Sequence, residues 1–273
     1  MPKDAPIAQG RQVLASALDL ARQSLGERLV AGYALGSLAH GGFSPVSDVD
    51  LGLVLADPLC EGDEALVAGM VKSIKGSGEP FADRLSVFWA SLATLSGASP
   101  GGRFPPLDRL DLIRYGVLLV GRDVRGQLAE PERAELVVAS AEFALARLAD
   151  DETLAKLKRP DSLAGSDART LSKLILFPVR FLFTARTGEV GRNEAAVAHF
   201  VGRSSSPAAG LARHALEWRN AGEVGSRASA ARALAAGLLP LYEEFVSDYE
   251  TRVREPRPDL AEAFAKWRRR VLA

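Results

Sequence analysis

Apolar positions between residues 8 and 25 recur at Val13, Leu14, Leu18, Leu20, Ala21 and Leu25, close to the 3.6-residue period of one helix face, and Gly26 ends the pattern. Two short apolar runs follow, residues 29–35 (LVAGYAL) and 51–55 (LGLVL), each the length of a buried strand. Between them residues 36–47 are rich in Gly, Ser and Pro, the composition of a connection. Residues 61–74 read as a helix broken by Gly76-Ser77-Gly78, and residues 85–90 (LSVFWA) have the β-branched and aromatic character of a third strand. Past a loop marked by Pro100-Gly101-Gly102 and Pro105-Pro106, residues 107–115 predict a short helix. Residues 116–120 (GVLLV) then predict a fourth extended run, stopped by Gly121.

Beyond about Arg125 the chain changes to Ala, Leu, Glu and Arg with few strand formers. Helical periods cover residues 132–158, 167–187, 207–218 and 228–253, with Pro256 and Pro258 closing the last long helix. The pattern therefore predicts an α/β (α+β) unit over residues 1–125, a small mixed sheet flanked by helices, followed by an all-helical bundle over residues 126–273. Pro178 falls inside one of these helices and is expected to kink it.

Composition narrows the functional classes. The chain has 273 residues, 47% of them hydrophobic, with 34 Lys and Arg against 34 Asp and Glu. That is enough apolar material for a large core, and zero net charge disfavours a nucleic-acid binder. The basic run Trp267-Arg268-Arg269-Arg270 is read as the cap of a last helix. Cys60 is the only cysteine, so no intrachain disulfide forms, and with only His40, His199 and His214 to join it there is no Cys/His zinc set. No signal-peptide pattern opens the sequence and no run reaches about 18 uninterrupted apolar residues, so a cytoplasmic protein without a membrane partner is expected.

Candidate chemistry is concentrated in residues 34–51 (ALGSLAHGGFSPVSDVDL), where Gly36-Ser37 ends the first strand and Asp48-Val49-Asp50 opens the second. Side chains alternate along a strand, so Asp48 and Asp50 point the same way, about 7 Å apart, and can share a Mg²⁺ ion with waters and phosphate oxygens. A nucleoside triphosphate is the natural complement. Gly36 permits close backbone approach, and the Ser37 hydroxyl and the amides of the following turn can meet phosphate.

These residues resemble the signature of the nucleotidyltransferase (DNA-polymerase-beta-like) superfamily. That signature is a hydrophobic-Gly-Ser at a strand end, about ten residues, then Asp-hydrophobic-Asp-hydrophobic, matched here by Gly36-Ser37 and by Ser47-Asp48-Val49-Asp50-Leu51. The nearest likeness is to the aminoglycoside nucleotidyltransferases and related small bacterial adenylyltransferases, and it extends loosely to Gly116–Gly121 with Asp123 and to Thr187-Gly188 after a long helix. The resemblance implies a nucleotidyltransferase fold and Mg²⁺-dependent transfer of a nucleoside monophosphate, AMP from ATP by default. The acceptor would be a hydroxyl of a small molecule or of a protein side chain, and pyrophosphate is released. It also implies a third catalytic acid on a later strand. The matching position is Ser86, which is a poor metal ligand and too weak a base, so a catalytically degenerate module that binds nucleotide or a protein partner is the alternative.

Other residues carry weaker signals. Asp83, three residues before Ser86, is the nearest substitute acid but is expected on the opposite side, and Glu79 sits in the glycine-rich turn. His40 lies in the phosphate loop, where a solvated histidine is the competing reading. Lys173 and Arg180, seven apart on one helix, share a face and could reach nucleotide phosphate, against an ordinary solvated face or ion pair. Phe177, Phe181 and Phe183 are read as core, and Asp108 and Asp111 as capping and surface acids. Glu189 and Glu194 are the weak candidates for a cationic acceptor. An exposed apolar face on the C-terminal helices would accommodate a homodimer.

Overall fold

The computed structural model describes residues 4–272, and the chain divides after Pro131 into two compact units. The first begins with helix α1 (Ala5–Leu25), which starts three residues earlier than its apolar period because Pro6 is tolerated in a first turn. Strand β1 (Leu29–Leu35) runs into a five-residue helix, α2 (Gly36–His40), and a loop returns the chain to β2 (Val49–Leu55). Asp50 therefore lies inside the strand while Asp48 immediately precedes it. Next come α3 (Asp63–Lys75), β3 (Leu85–Ser91), α4 (Leu92–Leu95), α5 (Pro106–Tyr115) and β4 (Val117–Gly121).

The strands form one mixed sheet in the order β3-β2-β1-β4. β1 pairs antiparallel with both β2 and β4, and β2 pairs parallel with β3, the helix α3 supplying the crossover that parallel pairing requires. Alternation divides β2 between two cores. Val49, Leu51, Leu53 and Leu55 pack with Val13, Leu14, Ala17 and Leu18 of α1 and Val67, Met70 and Ile74 of α3. Val54 turns the other way, toward Tyr33, Leu35, Phe88 and Leu112 of α5. By the same alternation Asp50 stands on the α5 face.

An ion pair between a buried carboxylate and a partly exposed guanidinium closes the far end of this unit. Arg28 grips Asp63 through two bonds, Nε to Oδ1 at 2.8 Å and Nη2 to Oδ2 at 2.6 Å, while the Cys60 amide donates to the same carboxylate at 2.7 Å. The Arg28 hydrogen bonds are the main reason the Asp63 carboxyl titrates below its ordinary range.

The second unit is all helical: α6 (Arg133–Leu148), α7 (Asp151–Lys158), α8 (Ala168–Thr187), α9 (Asn193–Arg203), α10 (Pro207–Ala221), α11 (Arg227–Arg252) and α12 (Pro258–Leu272). The single period expected over residues 132–158 is two helices, because the Asp150 carboxylate accepts the Thr153 amide and starts α7 as an N-cap. Two helices lie outside the predicted periods. α9 has only eleven residues, and in α12 Pro258 opens the helix instead of closing the one before it. Trp267 is buried in α12 while Arg268 and Arg270 reach Glu250 and Asp151, so the basic run is a paired surface around an aromatic anchor. Around Phe245 of α11 gather Tyr249, Phe181, Phe264 and Trp267.

Pro178 in the middle of α8 has no amide to give, so the Leu174 carbonyl lacks its usual intrahelical donor. The Tyr242 hydroxyl of α11 donates to that carbonyl at 3.0 Å, with both residues buried. Seven residues on, Tyr249 donates to the Phe181 carbonyl at 2.9 Å. Burial pushes both phenols well above the ordinary tyrosine range, so they remain donors. Among the described residues no helix is long and apolar enough to cross a membrane.

Candidate active site

The register across the sheet aligns Leu35 of β1, Asp50 of β2 and Ser86 of β3 in one row. Directly opposed residues face the same side, so Asp50 and Ser86 are lateral neighbours and the chain leaves β1 for Gly36 beside them. Asp48 and Asp50 are each half-buried, either side of the fully buried Val49, as two carboxylates sharing a polar rim should be.

Gly36 makes the tightest of these contacts. Its φ is +60°, a left-handed value that a side chain disfavours, and a Cβ built there would overlap the Asp50 carboxylate. Glycine is thus required twice over, by conformation and by space. The Gly36 amide is not presented to a ligand. It donates to Asp111 Oδ2 of α5 at 2.6 Å. What α2 can offer are the next amides of its first turn and the Ser37 hydroxyl, which has no hydrogen-bond partner among the described residues.

Asp111 corrects the reading of that residue as a surface acid: it is buried, only 7% exposed. No period marks it in the sequence, because the burial comes from α5 lying on the sheet face that carries Asp50. His40 is likewise no solvated loop side chain. Its Nδ1 is 3.1 Å from the Gly41 carbonyl, its Nε2 is 3.8 Å from Asp111 Oδ1, and its ring meets Tyr115 edge-on at 5.6 Å. Ser47 is buried and serves the turn before Asp48, its hydroxyl accepting the Ser44 amide at 2.9 Å.

The loop carrying Asp48 is held from the segment before β3. Arg84 donates to the Pro45 carbonyl at 2.6 Å and lies over the Phe81 ring, which also packs on Phe43. Asp83, in the same segment, is exposed, and Glu79 accepts from Ser16 of α1 at 3.3 Å. Neither is in the row of Asp50 and Ser86. In the second unit Arg180 donates to the Gly191 carbonyl and lies over the Phe177 ring, while Lys173 is half-buried on the same helix. Glu189 and Glu194 are exposed.

Among the described residues no three His, Cys, Asp or Glu side chains converge as a metal-binding group. Two hard carboxylate oxygens from Asp48 and Asp50 nevertheless suit Mg²⁺, which commonly takes one or two protein carboxylates and fills its other positions with water and substrate phosphate. At the β4 end, Asp123 accepts from both Arg125 and Tyr33, and Arg125 first of all holds its carboxyl far below the ordinary range. The Val124 amide donates to the Tyr33 hydroxyl at 2.8 Å, so this turn is a structural lock on β1.

No protein-family model matches the chain, and no curated protein matches it by sequence. Among solved structures it is similar to spectinomycin adenyltransferase AAD(9) from Enterococcus faecialis, crystallised with ATP and spectinomycin. The TM-score is 0.55 over 96% of this chain and 99% of that one, with 11% of residues identical. The fold is that of a nucleotidyltransferase. At this identity the likeness is one of fold, and it extends through the helical unit as well as the sheet. Beside Asp50 in the sheet the chain carries the hydroxyl of Ser86, the position at which the sequence resemblance implies a third acid.

Proposed function

We propose that this chain is a nucleotidyltransferase that moves a nucleoside monophosphate from a triphosphate to a hydroxyl of a small molecule, with Mg²⁺ held by Asp48 and Asp50. The observation that carries the reading is the placement of Asp50 against Gly36, at the end of β1, in a chain with this fold. ATP is the first donor to test and a small-molecule acceptor the first class, because spectinomycin adenyltransferase was crystallised with ATP and spectinomycin.

In this reading the acceptor oxygen bonds to the α-phosphorus as the bond to pyrophosphate breaks, and the hydroxyl proton leaves to water. Asp48 and Asp50 would hold the metal, whose bound charge offsets that of the triphosphate and of the leaving group. The Ser37 hydroxyl and the first free amides of α2 would orient phosphate oxygens, and positioning would supply much of the rate. Lys173, Arg180 and His40 stay secondary candidates for phosphate contact, Arg180 holding the Gly191 carbonyl and His40 lying beside the Gly41 carbonyl.

Calorimetry with a panel of triphosphates tests the donor site without a guess about the acceptor. ATP binding should require Mg²⁺ and weaken by about tenfold or more in Asp50→Asn, the loss of one charged ligand contact. Failure of every triphosphate to bind in the presence of Mg²⁺ would overturn the reading.

A second reading has its own support. Ser86 stands in register with Asp50, and a serine hydroxyl cannot act as a base toward an alcohol at neutral pH. Tight, Mg²⁺-dependent ATP binding without pyrophosphate release across a wide acceptor panel would favour a binding module that has lost turnover.

A further inference from the structure

We infer that Asp111 is a positioning residue: its buried carboxylate clamps both ends of α2 and so sets the turn that would receive the triphosphate, an inference that rests on the reading just given. A five-residue helix is far below the roughly 12–15 residues at which a helix is even marginally stable by itself. Nothing within α2 compensates, since no side chain caps its start and its first residue has a φ of +60°.

The missing support comes from α5, 75 residues further along the chain. Asp111 Oδ2 accepts the Gly36 amide at 2.6 Å, at the first residue of α2, and Oδ1 lies 3.8 Å from His40 Nε2, at the last. Tyr115, one helical turn beyond Asp111, packs edge-on against the same imidazole at 5.6 Å. One face of α5 therefore touches both ends of α2. A carboxylate is costly to bury unless it is matched, and here the Gly36 amide matches Oδ2 by a hydrogen bond while the His40 ring faces Oδ1 beyond hydrogen-bond distance.

The clamp also reaches the metal pair. Gly36 sits so close to Asp50 that a Cβ would overlap its carboxylate, so a shift of Gly36 changes the space in which that carboxylate sits. The role inferred for Asp111 is to hold Gly36 and not to touch substrate. Its action is through Gly36, Ser37 and Asp50.

The test compares Asp111→Ala with Asp111→Asn in the full chain, with two readouts: Mg²⁺-dependent ATP affinity by calorimetry, and amide hydrogen exchange of residues 36–40. Asn keeps an oxygen for the Gly36 amide, so it should stay within about threefold of wild type, whereas Ala should weaken ATP and speed exchange by about tenfold or more. Because Asn also keeps the side-chain volume, Asp111→Leu, which fills the space without an acceptor, separates the clamp from packing: it should be impaired like Ala, and a Leu variant that matches Asn overturns the inference. Equal impairment of Asn and Ala, or an Ala variant that matches wild type in both readouts, overturns the inference. If the Ala variant does not fold, the wild-type Gly36 amide decides. A slow-exchanging, downfield-shifted proton that moves in Asn supports the clamp, and free exchange refutes it. If wild type binds no triphosphate, the nucleotide reading falls, and the exchange data alone then uphold or overturn the clamp.

Discussion

Replacing Tyr242 by Phe removes one oxygen from a fully buried site, and the structure says what is left behind. Leu174 has no intrahelical donor, because residue 178 is proline, so its carbonyl depends on the Tyr242 hydroxyl at 3.0 Å. Deleting that donor leaves a buried acceptor unsatisfied, a cost of about 1–3 kcal/mol. Tyr249→Phe is the internal control. Phe181 lies in the same helix and keeps the amide four residues on, so losing the second bond, at 2.9 Å, should cost only about 0.5–1.5 kcal/mol. Pro178→Ala returns an amide to Leu174. In that background Tyr242→Phe should be milder, giving a coupling of roughly 1 kcal/mol in a double-mutant cycle. Urea unfolding reads wild type and the four variants, with the comparison taken from midpoints at unchanged m. A Tyr242→Phe cost no larger than that of Tyr249→Phe, or coupling below about 0.3 kcal/mol, the usual limit of additivity, would refute the account.

Three further outcomes are expected. Gly36→Ala forces a Cβ onto the Asp50 carboxylate at a left-handed position, so it should cost about 1 kcal/mol or more in stability and abolish Mg²⁺-dependent ATP binding; unchanged calorimetry would show that Gly36 and Asp50 are not so tightly packed. Asp63 titrates below its ordinary 3.8 when folded, so its pairing stabilises the protein above that pH and is lost as pH falls through the folded value; Asp63→Asn should lower stability at neutral pH and flatten the acid limb below about pH 4, which pH-dependent thermal melts would detect. Ser86→Glu places a carboxylate beside Asp50. With an accepted acceptor it should raise pyrophosphate release by about 10²-fold or more if a base is what the site lacks, and no gain over Ser86→Ala would locate the deficit elsewhere.

Local pattern determined a good deal of this protein. The runs at residues 29–35 and 85–90, the glycine-rich connection and the paired acids are all legible, because a strand needs only a few consecutive apolar residues and a left-handed turn needs glycine. Ser86 stands out in the sequence as a hydroxyl where the resemblance implies an acid, and the sheet places it beside Asp50. The break between α6 and α7 is not legible in the pattern, because the Asp150 cap interrupts the backbone without interrupting the helical composition around it.

Tertiary structure decided what depends on distant partners. Asp111 has an ordinary place in a short helix of weak periodicity, and only the docking of α5 on the sheet buries it against Gly36 and His40. Pro178 announces a lost hydrogen bond, yet nothing near it in sequence tells which group replaces it; Tyr242, 68 residues from Leu174, does so because α8 and α11 pack face to face. Periodicity reports which face of an element is apolar, a property of neighbours in sequence. It carries no information on which buried polar group will meet which, since that depends on how whole elements pack, and in this chain those pairings govern both the candidate site and the helical core.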